Sequence, residues 1–170
     1  MTRLRRRGGT RPQEVLVTLT AASTRPAPPV AGWRDPRSFV RPDVWDREIA
    51  LLVRDYPFDE VMANRLFGQA VAYLITAMEK WGEHLEIGCG RLVDIAVHAF
   101  ILDTRNYREF CAQHFDGRFL EHVPEIEFKY DGSVERTAHI LAANGFEVDW
   151  PLWERDFSQC TPCAPGTDCH

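Results

Sequence analysis

The chain has 170 residues, 45% of them apolar and 26% charged, with a net charge of −5. That is the make-up of a globular protein of ordinary one-domain size, and it excludes fibrous and wholly disordered classes. No apolar run approaches the ~18 residues that span a bilayer, so no membrane span is expected and the protein reads as soluble.

Charge divides the chain before any element is assigned. Residues 1–41 carry nine arginines against Glu14 and Asp35, a net of +7, which leaves −12 for the rest. A basic arm on an acidic body has the electrostatics to meet a protein or another anionic partner. It lacks the aromatic interleaving of single-strand nucleic-acid binders, and an arm that is merely solvated is the plainer reading. Arg5 to Arg7 followed by Val15 to Leu19 and Ala21-Ala22-Ser23 imitates an export signal. The apolar stretch is short, broken by threonine and preceded by Glu14, whereas true signal cores run ~7–15 apolar residues. A cytoplasmic protein is therefore expected, whose five cysteines serve as thiols or metal ligands rather than as a disulfide framework.

Residues 1–42, rich in Pro and Gly, read as a disordered arm. A first helix is expected after Pro42 with Asp43 as its cap, carrying Val44, Trp45, Glu48, Ile49, Leu52 and Val53 at helical spacing and stopped by Pro57. Asp59 opens a longer helix to about Lys80. The segment from about Arg91 to Asp103 is apolar on nearly every side, the pattern of a helix in the middle of a core. Thr104 is expected to cap a fourth helix with Tyr107, Phe110, Cys111, His114 and Phe115 on one face, ended by Gly117. Ser133 starts a fifth, which Gly145 ends. Residues 146–157 form a short Trp-rich close. The expected fold is thus all-α: a single orthogonal bundle of about five helices over residues 43–157, between the basic arm of 1–42 and a Cys-rich tail of 158–170.

Three groups of residues carry chemistry. Asp94 and His98 are four apart on one helix face and are the only polar side chains between Leu92 and Leu102. They are either a carboxylate orienting an imidazole, as in metal and acid–base sites, or a self-satisfied buried polar pair. His122, after the aromatic stretch Phe115 to Leu120, is a ligand or base, or simply caps a carbonyl. The tail holds Cys160-Thr161-Pro162-Cys163 and then Cys169-His170. Two thiolates at this spacing can grip one zinc in a tight turn. Cys169 and His170, or His98 and His122 from the domain, would complete the set, and a dithiol pair or an inert tail are the alternatives. Cys111 reads as a buried hydrophobe, and Cys89 sits near a helix start without a base beside it. No Gly-rich phosphate loop, G-x-S-x-G or H-E-x-x-H motif occurs.

The run Val93-Asp94-Ile95-Ala96-Val97-His98-Ala99-Phe100-Ile101-Leu102-Asp103-Thr104-Arg105, then Tyr107, Phe110-Cys111 and Gly117 to Pro124, resembles small actinobacterial proteins related to the glycine-rich domain-containing protein family. The resemblance covers about residues 43–163. It implies that Asp94, His98, Tyr107, Cys111, His122, Cys160 and Cys163 are pattern positions. Val97 and Glu121 depart from the pattern, which has Trp and His there. It implies no mechanism. The expectation is a small helical binding or regulatory module, zinc-binding through its tail. The alternatives are a precursor whose Cys-rich segment is enzymatically modified, and a metal- or His/Asp-dependent enzyme of unknown substrate.

Overall fold

The computed structural model describes residues 32–122 and 131–157. These are α-helical: α1 (Pro42–Asp55), α2 (Glu60–Glu79), α3 (Arg91–Leu102), α4 (Thr104–His114), α5 (Ser133–Ala143) and α6 (Trp150–Phe157), preceded by a 3-10 turn at Pro36–Phe39. Among the described residues there is no strand, only an isolated bridge between Arg34 and Phe146. None of these helices is long and apolar enough to cross a membrane.

α2 is the element around which the core is built. Asp59 caps it, accepting from the Met62 N–H at 2.7 Å, as its spacing from the apolar run predicts. Ala63, Leu66, Phe67, Ala70, Val71, Leu74 and Ile75 are buried along it. α1, α3, α5 and the 3-10 turn all pack against it. Small residues at Ala63, Ala70 and Ala72 allow close approach, and Phe67 fills the space between Trp45 and Phe100 with edge-on rings at 4.7 and 5.4 Å.

The structure corrects several expectations. The close after residue 146 contains a sixth helix. Trp153 is fully buried there, its indole N–H donating to Gln69 Oε1 at 2.7 Å. Gln69 also accepts from the Asp149 N–H and donates to the Glu147 carbonyl, so one buried amide ties α2 to the α6 entry. Asp43 does not cap α1, because Pro42 already occupies its first turn. The Asp43 carboxylate instead pairs with Arg41 at 2.9 Å. Thr104 is the first residue of α4, not its cap; Asp103 precedes it and makes no side-chain capping bond. α3 packs against α1, α2, α4 and α6, as expected of a helix in the middle of the core. Val93, Ala96, Val97 and Phe100 are buried, but Leu102 is exposed and Ile95 and Ile101 are only partly covered. Its all-round apolarity overstates its burial.

The basic arm is shorter than expected at its C-terminal end. Arg34 donates its backbone N–H to the Gly145 carbonyl at 2.8 Å and its guanidinium to Glu79 at 2.6 and 2.8 Å. It lies over the Phe39 and Phe146 rings. Gly145, with φ +84°, lets this happen: a Cβ there would stand 3.4 Å from the Arg34 side chain. Asp35 caps the 3-10 turn, and Val40 is buried. Residues 1–31 of the expected arm and the tail of 158–170, with Cys160, Cys163, Cys169 and His170, lie outside the described residues.

Candidate metal centre

Asp94 lies in the first turn of α3, after the Gly90 N-cap, and its N–H closes the first helical bond to the Gly90 carbonyl at 2.9 Å. His98 is one turn further along the same face. His122 arrives from the segment beyond α4. That segment is pinned where Tyr107, buried on α4, donates its hydroxyl to the Leu120 carbonyl at 2.6 Å. The helical period thus supplies two donors and the chain's return supplies the third.

One donor atom from each of Asp94, His98 and His122 lies within 4.8 Å of the others. His98 Nδ1 is 3.2 Å from Asp94 Oδ2, and His122 Nε2 is 3.3 Å from Asp94 Oδ1. The two imidazoles meet edge to face, centroids 4.6 Å apart. The side chains are 21% (Asp94), 34% (His98) and 19% (His122) exposed. The Asp94–His98 pair, expected to be largely buried and in contact, is in contact and partly buried, at the edge of the core.

Hydrogen bonding assigns the nitrogens. His98 Nδ1 lies 2.9 Å from the Asp94 main-chain oxygen, so it carries the proton and donates. Nε2 is left with the lone pair. This is the second contact that orients a ligating histidine in metal sites. His122 Nε2 is buried and, apart from its 3.3 Å approach to the Asp94 carboxylate, has no hydrogen-bond partner. Burial pushes the Asp94 carboxyl up, but His122, His98 and the Cys89 thiol more than offset this and hold it below the usual carboxylate range. Asp94 is therefore anionic at neutral pH. Burial and the Asp94 charge raise the neighbouring Cys89 thiol well above its ordinary value, and the thiol donates to Asp94 Oδ1 at 3.4 Å.

A cleft of about 500 Å³ adjoins the centre. Tyr73, Trp81, Leu85, Tyr107 and Leu120 wall it, and His122 belongs to both cleft and centre. His84, at φ 53°, and Glu86, at φ 48°, are in the left-handed region, which non-glycine residues rarely adopt. They turn the loop between α2 and α3 so that Leu85 and Ile87 face the cleft.

Of the residues singled out in the sequence as metal candidates, the structure brings His98 and His122 together. Asp94, read from the sequence as the buried partner of His98, stands at the middle of the cluster. Its contact with His122 crosses 28 positions of chain, and no periodicity reports it. Cys111 is buried on α4 as read. The spacing also gave no sign of Cys89 beside Asp94. A carboxylate with two imidazoles, one nitrogen of which is buried and unpartnered, has the donor set of a divalent transition-metal site. The same trio also has the elements of an acid–base pair.

No curated protein and no solved structure shows a significant match to the chain. A family model described as UCP032817-like matches residues 46–139, a span that holds Asp94, His98 and His122. As that match covers more than half of the sequence, the chain belongs to the UCP032817-like family.

Proposed function

We propose that this protein is a small metal-binding module, an orthogonal helical bundle in which Asp94, His98 and His122 hold one divalent transition ion, zinc by preference. The observation that carries the reading is His122 Nε2, buried without a hydrogen-bond partner 3.3 Å from a carboxylate that is already ionised. A buried imidazole nitrogen without a partner costs about 1–3 kcal/mol, and a metal removes that cost. Two ligand atoms at ~2.0–2.1 Å from a tetrahedral ion stand ~3.4 Å apart, close to the 3.3 Å between His122 Nε2 and Asp94 Oδ1. The domain thereby supplies a donor set of its own, and the tail cysteines Cys160 and Cys163 are not required to build it.

The bound ion joins α3 to the Leu120–His122 segment, one wall of the cleft. The module therefore presents a metal-braced cleft to a ligand. A catalytic use of the same ion is a second reading, favoured by the one residue, His122, that the cleft and the centre share. Three protein ligands leave a fourth position for water or substrate.

The test is metal content after purification under reducing conditions. About one equivalent of zinc is expected in the native protein and in a Cys160→Ser, Cys163→Ser double variant. Asp94→Asn, His98→Ala and His122→Ala should each fall well below it. Imidazoles ligate only when neutral, so retention should fail on acidification. Full metal in the three domain variants, with loss in the tail variant, would move the site to the tail and end this reading.

A further inference from the structure

Cys89 precedes α3 by two residues and is 9% exposed. Its S–H donates to Asp94 Oδ1 at 3.4 Å. Tyr73, in the cleft wall, lies near the same sulfur. Nothing in the metal reading uses this thiol, yet it touches the one side chain that serves both histidines.

We propose that Cys89 is a positioning residue of the metal centre, its thiol setting the rotation of the Asp94 carboxylate. The proposal rests on the metal reading above. An aspartate carboxylate turns easily about its last bond, whose energy profile is broad. Here it must keep Oδ1 3.3 Å from His122 Nε2 while Oδ2 stays 3.2 Å from His98 Nδ1. A donor fixed on the Oδ1 side selects that rotation, and the buried thiol is such a donor. Cys89 is not one of the three residues whose donor atoms lie mutually within 4.8 Å. It therefore acts through Asp94 and not on the ion. Partners of metal ligands in this position typically change affinity ~10–100-fold.

The experiment titrates Co(II) into the full-length protein and into Cys89→Ser, Cys89→Ala and Cys89→Val, in competition with a chelator under anaerobic reducing conditions. Cobalt d–d absorption and near-ultraviolet sulfur-to-cobalt charge transfer are both recorded. Serine keeps a donor and should bind within a few-fold of the native protein, with unchanged charge-transfer absorption. Alanine and valine should weaken binding by about 10–100-fold and shift the d–d bands. Valine is close to cysteine in volume, so it separates loss of the donor from a packing defect. The proposal is overturned if alanine and valine bind as the native protein does with the same spectrum. It is also overturned if serine abolishes charge transfer, since the sulfur would then be a ligand. If the native protein takes up no Co(II), the metal reading itself fails, and that outcome is recognised by the absence of d–d bands in every variant.

Discussion

Glu48 is the most unusual single residue. Its side chain is fully buried on α1, and neither carboxylate oxygen has a hydrogen-bond partner. Its neighbour Asp103 accepts from Arg47 at 2.6 Å and Asn106 at 2.9 Å. Burial outweighs everything else at Glu48, and the Asp103 charge adds to it, so its pKa is pushed up to about 8. Asp103 moves the other way: burial raises it, but the bonds from Arg47 and Asn106 prevail and keep it ionised. Glu48 is therefore a protonated acid at neutral pH, kept neutral by its burial and by the Asp103 charge. The pH dependence follows from the sign of the shift. The folded chain keeps this proton up to about pH 8, whereas an unfolded glutamate releases it near pH ~4.3. Between these values the folded state binds more protons, so stability falls as pH rises and levels off above about 8. Glu48→Gln places a neutral side chain there at every pH. Urea unfolding at pH 5 and pH 9 is expected to show the native protein losing on the order of 3–5 kcal/mol from this group and the variant losing little of it. Parallel pH profiles for the two proteins would rule this out.

At the scale of elements, the segment before α1 decides how α1, α2 and α5 sit together. Arg34 joins Glu79 at the end of α2 to the Asn144–Gly145 turn that closes α5. Arg37 lies 4.8 Å over the Trp45 ring of α1 and bonds Asn64 on α2. The His114 ring, at the end of α4, sits 2.8 Å from the Phe39 carbonyl through Nε2. Deleting residues 1–40 therefore does more than remove an arm. Against a chain that begins at residue 32, it removes an ion pair, the cation–ring stacks of Arg34 and Arg37, and the buried Val40. Together these are worth roughly 2–4 kcal/mol, and a domain of this size shifts by several degrees per kcal/mol. A fall in melting temperature of about 10 °C is expected by differential scanning calorimetry. Equal melting temperatures for the two truncations would show that this segment does not support the fold.

For the molecule as a whole, the metal reading has a thermodynamic consequence separate from metal content. An ion that binds the folded chain and not the unfolded one stabilises it by mass action, about 2.7 kcal/mol at a free concentration 100 times Kd. Buffered free zinc should raise the melting temperature of the native protein by several degrees. It should do nothing for His122→Ala, because the staple between α3 and the Leu120–His122 segment is then missing. A rise of equal size in both proteins would assign the effect to zinc bound elsewhere. Trp81 in the cleft wall gives a local readout, as its fluorescence should change on metal addition in the native protein only.

What the sequence determined by itself was whatever depends on near neighbours. The apolar positions Leu66, Phe67, Ala70, Val71, Leu74 and Ile75 announce α2 because a helix brings residues three and four apart onto one face. Asp59 marks its start, Gly145 the end of α5, and the four-residue spacing of Asp94 and His98 puts them on one side of α3. The tertiary structure decided what depends on distant segments. Trp150 and Trp153 read only as a short Trp-rich close because eight residues show barely two helical turns, and packing on α3 and α5 makes them a helix. Arg34 and Phe39 look like part of a solvated arm, because their partners Glu79, Gly145 and Phe146 are more than 40 residues away. Likewise Asp94 becomes the middle of a metal-type cluster only when the Tyr107–Leu120 contact returns His122 to α3. A donor set made by chain return leaves no period in the sequence, since loop closure sets no fixed spacing between the residues it joins.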